Sequence, residues 1–260
     1  MKRLLLTLPL LLSMVGGASA AVKSDVIEYT QGDTALQGWL TYDTAAKGKR
    51  PGVVLAHDWF GATAHQKEQA EKLAALGYVV LVADVYGKGV RPTDAAAAGT
   101  EAGKLYKDRS IMRARARAAY DFLAASSKVD ATRMAVMGYC FGGAVALELA
   151  RSGAPLKAVV TFHGSLASMN PDDAKNIKAK VLVLHGADDP YVKQPEVAAF
   201  MDEMRAAKLD WQVVQYSGAV HSFTDQRAGT DNSKGAAYNA DADRRSWRAM
   251  RDFFEETLAK

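Results

Sequence analysis

Met134-Ala-Val-Met-Gly138-Tyr-Cys140-Phe-Gly142-Gly143-Ala-Val-Ala-Leu-Glu-Leu-Ala150 is the stretch on which the reading of the fold turns. A short apolar run, as expected of a strand buried on both faces, passes directly into a glycine-flanked turn and then into a helical pattern. Strand, sharp turn and helix in that order form the setting of a nucleophile elbow. Its central residue is forced into strained backbone geometry and projects above the sheet. Glycines two residues to either side let strand and helix pass closely. Here the projecting residue is Cys140, and the helix N-terminus beneath it favours a thiolate over a thiol. A lone cysteine is ordinarily a small buried hydrophobe; the flanking glycines and the strand-to-helix placement favour the nucleophile.

Outward from this turn, further apolar runs read as strands at Gly52–Ala56, Tyr78–Ala83, Ala158–Phe162, Val181–Leu184 and Trp211–Tyr216. Leu36 to Tyr42 alternates apolar and polar, as a half-exposed edge strand does. Helical patterns lie between them. Gln66–Leu76 stops at Gly77, Thr100–Ala125 breaks near Asp108, Gly142–Arg151 ends before Gly153, and Glu196–Ala207 follows Pro195. The last helix puts Trp247, Met250, Phe254 and Leu258 on one face. Alternating strands and helices predict an α/β fold with a mostly parallel central sheet and helices on both faces. No internal repeat or linker divides the chain.

The first twenty residues read differently. Lys2 and Arg3, the apolar run Leu4–Val15 and the small residues Gly16 to Ala20 form a secretory signal peptide, with cleavage expected after Ala20. The run is too short to span a bilayer, which takes about 20 residues. The expected product is residues 21–260, one domain, exported to the periplasm or medium and free of the membrane. Loss of Lys2 and Arg3 lowers the net charge from +4 to +2, so nucleic acid is not an expected partner. With 49% hydrophobic and 24% charged residues the composition is globular, which excludes a disordered chain. The single cysteine cannot form an internal disulfide. A monomer acting on a small molecule is the expectation.

Two partners for Cys140 follow in the order nucleophile, acid, histidine. Val181-Leu-Val-Leu184 ends in His185-Gly-Ala-Asp188-Asp189-Pro190, which puts a carboxylate at a strand end. Asp189 is the chosen acid and Asp188 the competing one, the other supporting the turn. His221, in Gly218-Ala-Val-His-Ser-Phe223, would take the thiol proton while the carboxylate fixes its tautomer. The oxyanion hole needs two backbone donors, expected from Phe141 and from Trp59 in the loop after the Gly52–Ala56 strand. His65 is expected to be solvated, and His57, His163 and His185 to be hydrogen-bonded structural residues. Arg113, Arg115 and Arg117 read as a solvated helix face. No ligand spacing for a metal and no phosphate loop is visible.

With these residues in place the sequence resembles the dienelactone hydrolase family of the α/β-hydrolases, over roughly residues 26–258. The likeness rests on His57-Asp-Trp-Phe-Gly61, Ala83-Asp-Val-Tyr86, Gly138-Tyr-Cys-Phe-Gly-Gly143, Gly186-Ala-Asp-Asp189, His221-Ser-Phe223 and the closing Tyr238-Asn-Ala240 with Arg245-Ser-Trp247. It implies an α/β-hydrolase fold, a Cys140–His221–Asp189 triad, no cofactor, and cleavage of lactones or small esters. Two departures stand out. Dienelactone-cleaving members carry a glutamate near the cysteine where this chain has Asp58. They also hold the substrate carboxylate with arginines, where this chain has Lys88 and Asp225, the latter repelling a carboxylate. Asp58, Lys88, Ser222 and Asp225 are therefore the substrate-contact candidates, and dienelactone itself is disfavoured. Two readings compete with the hydrolase: a catalytically silent binding protein on the same fold, and a thiol redox sensor, which lacks a resolving cysteine.

Overall fold

The computed structural model describes residues 21–259; the expected signal peptide lies outside the described residues. Eight strands form one sheet: β1 (Val22–Gln31), β2 (Thr34–Asp43), β3 (Arg50–Ala56), β4 (Val79–Ala83), β5 (Val129–Tyr139), β6 (Ala158–Phe162), β7 (Lys180–Gly186) and β8 (Trp211–Tyr216). Their spatial order is β1-β2-β4-β3-β5-β6-β7-β8. From β4 to β8 every pairing is parallel, while β1–β2 and β2–β4 are antiparallel. This is the mostly parallel sheet that the alternating pattern predicts. One expectation is corrected: β2 is not the edge. It is flanked on its outer side by β1, which pairs with it along its whole length from Val22↔Asp43 to Gln31↔Thr34.

The helices are α1 (Ala64–Ala75), α2 (Ala95–Lys107), α3 (Arg109–Ala124), α4 (Phe141–Arg151), α5 (Gln194–Ala206) and α6 (Ala240–Leu258). The break between α2 and α3 falls on Asp108, whose carboxylate accepts the first free N–H groups of α3, from Ser110 at 3.0 Å and Ile111 at 3.4 Å. Alternate residues of the central strands feed two cores. Val54, Ala56, Val136 and Val159 face α2 to α5, whereas Val53, Leu55, Met137 and Val160 face α1 and α6. On α6, Met250, Phe254 and Leu258 are buried and Trp247 packs at their edge. Covering both faces leaves the carboxyl ends of the parallel strands as the open rim, the place where such sheets bind ligands.

Candidate active site

That rim collects one chemically capable residue after each central strand. Cys140 follows β5 and has φ 54° and ψ −121°, a region that residues other than glycine rarely adopt. The surrounding packing enforces it. A Cβ on Gly138 would overlap the carbonyl of Gly142, and one on Gly142 would overlap the Ala56 carbonyl, so β5, α4 and β3 meet only because both positions are glycine. The Cys140 N–H is bound to the Phe162 carbonyl at 3.0 Å, which fixes the base of the turn to β6.

His221 Nε2 lies 3.1 Å from Cys140 Sγ, and His221 Nδ1 lies 2.8 Å from Asp189 Oδ2. The Asp189 side chain is fully buried, and its other oxygen accepts the Tyr191 N–H at 2.8 Å and the Val192 N–H at 3.1 Å. Asp188 instead accepts the Gly218 N–H at 3.0 Å, the turn-supporting role. The histidine loop is held by strand-like bonds: the His221 N–H reaches Gly235, and the Ala237 N–H reaches the His221 carbonyl. Burial of His221 opposes its charged form, but the bonds to Asp189 and Cys140 outweigh it, and the imidazole is pushed up to about 10. Burial likewise opposes ionisation of Asp189, yet the His221 bond and two backbone N–H groups hold it below the usual carboxylate range.

The Phe141 N–H, at the first position of α4, and the Trp59 N–H have no protein acceptor among the described residues. Trp59, Phe141, Cys140 and His221 line one cavity of about 390 Å³. The loop carrying Trp59 is braced by the Tyr86 hydroxyl, which donates to the Trp59 carbonyl at 3.0 Å. It is also braced by His57, whose Nε2 accepts the Val85 N–H at 3.2 Å. His57 is thus the hydrogen-bonded structural histidine that was expected. Asp84, in the Ala83–Tyr86 motif, is wholly buried and receives the Tyr86 and Gly87 N–H groups, so it shapes a turn.

Other expectations are corrected. Lys88 does not face the site; its ammonium is 2.7 Å from Glu28 on β1. Asp58, as a substrate-contact candidate should, lines a cavity with Cys140, and its carboxylate accepts from the Phe60 N–H at 2.8 Å and from Gln66 at 2.7 Å. Asp225 does line a cavity with Cys140, together with Ser222 and Asp58. Its charge is matched, however, by Arg227, which donates from Nε at 2.9 Å and Nη2 at 2.8 Å. Two of the arginines on the supposed solvated face are committed inward: Arg113 to Glu148 and Asp173, Arg115 to the carbonyls of Val85 and Tyr86. Only Arg117 behaves as a surface residue, with Asp121. His65 is half-buried at the cavity wall, and burial, reinforced by Arg227, holds its imidazole below the usual value. His185 is buried with neither ring nitrogen bonded.

Sequence reasoning missed three contributions. Tyr106, Tyr191 and Val192 complete the apolar cavity beside Cys140; they lie on helices and loops whose placement is a tertiary outcome. Arg227 stands two residues past the position where the resemblance places a cation, so spacing alone does not find it. His163 is hydrogen-bonded as its reading expects, its Nε2 2.8 Å from Thr224 Oγ1; what the sequence does not convey is that its ring packs edge-on against His221 with centroids 5.1 Å apart. Its φ of 41° is a signal visible only in the structure. Among the described residues no group of three or more His, Cys, Asp or Glu side chains could hold a metal, and no helix is long and apolar enough to cross a membrane.

A doubly covered, mostly parallel sheet with a strained cysteine elbow, a strand-end aspartate and a histidine loop defines an α/β-hydrolase. The model of the dienelactone hydrolase family matches residues 36–258, and the chain belongs to that family. A solved structure called m3DLH shares 46% identity, with a TM-score of 0.89 over 92% of this chain and 100% of that one. A dienelactone hydrolase-like promiscuous phosphotriesterase from metagenomic libraries is also 46% identical, with a TM-score of 0.88 and coverage of 92% and 100%. A Salmonella typhimurium protein provisionally named carboxymethylenebutenolidase is 26% identical over 261 residues, 95% of this chain and 93% of its own.

Proposed function

We propose that the protein hydrolyses small activated esters and lactones through an acyl-cysteine intermediate on Cys140. The observation that supports this most directly is the unbroken run Asp189–His221–Cys140, with contacts of 2.8 and 3.1 Å, set at a strained elbow beside a cavity. The names of the family and of its relatives as dienelactone hydrolase and carboxymethylenebutenolidase are consistent with it.

His221 Nε2, 3.1 Å from Sγ, takes the thiol proton as sulfur attacks, and the Asp189 carboxylate favours the imidazolium that results. Sγ forms a bond to the substrate carbonyl carbon, and the π pair moves onto the oxygen, where the Phe141 and Trp59 N–H groups receive it. The pair returns, the C–O bond to the leaving group breaks, and His221 gives that oxygen its proton. Neutral His221 then takes a proton from water, whose oxygen attacks the thioester. The C–S bond breaks, His221 returns the proton to Sγ, and the acid is released. Sulfur is itself a good leaving group, so the first adduct partitions forward only when the departing oxygen leaves readily. Enol esters, aryl esters and strained lactones satisfy this, and amides do not.

The test is chromophore release from a small aryl ester and its anilide, with and without thiol alkylation. Ester turnover that alkylation abolishes, with the anilide inert, is the expected result; a silent binding protein or a redox sensor would turn over neither. Phosphotriesters belong in the same panel, because one of the 46% identical proteins is described as a promiscuous phosphotriesterase. Export is proposed from the charged, apolar and small-residue order of residues 2–20. N-terminal sequencing of the secreted protein should start at or within a few residues of Ala21, and an intact Met1 on cytoplasmic protein would contradict export.

A further inference from the structure

Cys140 stands at the junction of two adjoining cavities that differ in charge. One, of about 390 Å³, is walled mainly by Trp59, Tyr106, Phe141, Tyr191 and Val192. The other, of about 510 Å³, holds the charged side chains Asp58, Asp225 and Arg227 with the hydroxyls of Ser222 and Thr224. We propose, on the basis of Cys140-dependent hydrolysis, that the preferred substrate is a two-part ester or lactone. An apolar, aryl-sized group sits in the first cavity, and a neutral polar or cationic group in the second.

The charges of the second cavity carry this. Arg227 is its one cation among the described residues, and two of its nitrogens are already bound to Asp225 at 2.8 and 2.9 Å. Its nearest approach to Asp58 is 3.8 Å, so the Asp58 carboxylate is left as the surplus charge. The imidazoles of His65 and His163 add no positive charge, since burial disfavours their protonated forms. Lys88, the other cation that the sequence offered, is held by Glu28 away from this cavity. An entering carboxylate therefore meets two carboxylates against one guanidinium, which Asp225 already engages through two nitrogens. A hydroxyl or an ammonium meets carboxylate and hydroxyl acceptors. The apolar cavity selects in the other sense, because a polar group placed among aromatic walls loses its hydration without gaining partners. The two cavities together fix which end of the substrate lies on which side of the sulfur.

Matched aryl esters test this with the whole protein. One set carries a neutral hydroxyl, a trimethylammonium or a carboxylate on the acyl part; a second carries the same three groups on the alcohol part. In one of the two sets, kcat/KM for the cation should exceed that for the anion by about three- to tenfold at low salt, and the ratio should shrink toward one near 0.5 M salt. The set that shows it identifies the part occupying the polar cavity. Asp58→Asn should lower the ratio and Arg227→Gln should raise it, opposite shifts that a general loss of structure cannot produce. A preference for the anion, or ratios that neither variant moves in either set, overturns the two-part assignment. If the neutral esters are turned over by wild type and lost in Cys140→Ala while the ratios stay flat, the hydrolase reading survives and this proposal fails. If no ester of either set is turned over, both fail.

Discussion

At the first residue of α4 the chain is strained and sparsely bonded; at the last it is relaxed and saturated with partners. Phe141 opens the helix directly behind Cys140 at φ 54°, whose thiol has one hydrogen-bond partner among the described residues, His221. Arg151 closes it with a fully buried guanidinium. Its Nε and Nη2 grip Glu203 at 2.8 and 2.7 Å, Nη1 reaches Glu148 at 3.1 Å, and Nη2 also reaches the Leu166 carbonyl at 3.0 Å. Glu148 is shared with Arg109 and Arg113, and Arg113 with Asp173. Three cations thus face three carboxylates. One helix presents a reactive group at one end and anchors itself at the other. Strain at a working residue persists only where its surroundings over-determine it, as the close approaches at Gly138 and Gly142 do here.

Breaking the reactive end should abolish activity without unfolding the protein. Cys140→Ala is expected to lower kcat/KM for an aryl ester by about a thousandfold or more, with the melting temperature held. Cys140→Gly should lose activity equally but raise stability by about 1 kcal/mol, since glycine tolerates this backbone geometry, as thermal unfolding would show. Breaking the anchored end should do the opposite. Arg151→Met leaves Glu203 buried without its partner and should cost about 3–5 kcal/mol. Calorimetry would register this as a fall in melting temperature of roughly 10 °C. The kcat/KM per folded molecule should stay within about threefold. A large loss of activity at unchanged stability would sink the division of labour between the two ends.

Smaller effects sharpen the account of the reactive end. Asp189→Asn removes the carboxylate that helps raise the His221 imidazole to about 10, so the alkaline fall in kcat/KM should move from near pH 10 toward the ordinary value of 6.5. At neutral pH the loss should be about a hundredfold. The stability linked to His221 has a definite sign: it is fully present below pH 6.5 and is lost as pH rises through about 10. Chemical denaturation across that window should show a decline in wild type that is flatter in Asp189→Asn. The smallest change is His163→Phe, which keeps an aromatic ring against His221 but drops the bond to Thr224. A kcat lowered about three- to tenfold with KM held would mark it as a residue that positions His221. Thr224→Val should reproduce most of that loss, and the double variant should be little worse than either.

The contrast between the ends of α4 also explains how much the sequence could convey. The elbow is legible because its requirements are local: glycines at 138 and 142, an apolar strand before and a helical pattern after. Asp189 and His221 follow because strand ends and loops place them in a fixed order. The anchored end is invisible to that logic. Nothing in the spacing of Arg151, Glu148 and Glu203 marks them for burial; only the packing of α4 against α3, α5 and the segment after β6 buries them. β1 is missed for a related reason: Lys23, Ser24, Asp25 and Glu28 interrupt its apolar alternation, and its pairing with β2 is what makes it a strand. The directions of Lys88 toward Glu28 and of Arg227 toward Asp225 depend on neighbours that one-dimensional spacing does not supply.

The central claim is a covalent bond to one sulfur, and it can be weighed. The protein should be mixed with a slowly deacylated aryl ester, quenched in acid during turnover and analysed as intact protein and as peptides by mass spectrometry. The account predicts a mass increase equal to the acyl group, confined to the peptide containing Cys140, forming at the rate of the chromophore burst and disappearing as the ester is exhausted. Steady turnover with no adduct on that peptide, or an adduct on another residue that persists in Cys140→Ala, would contradict it.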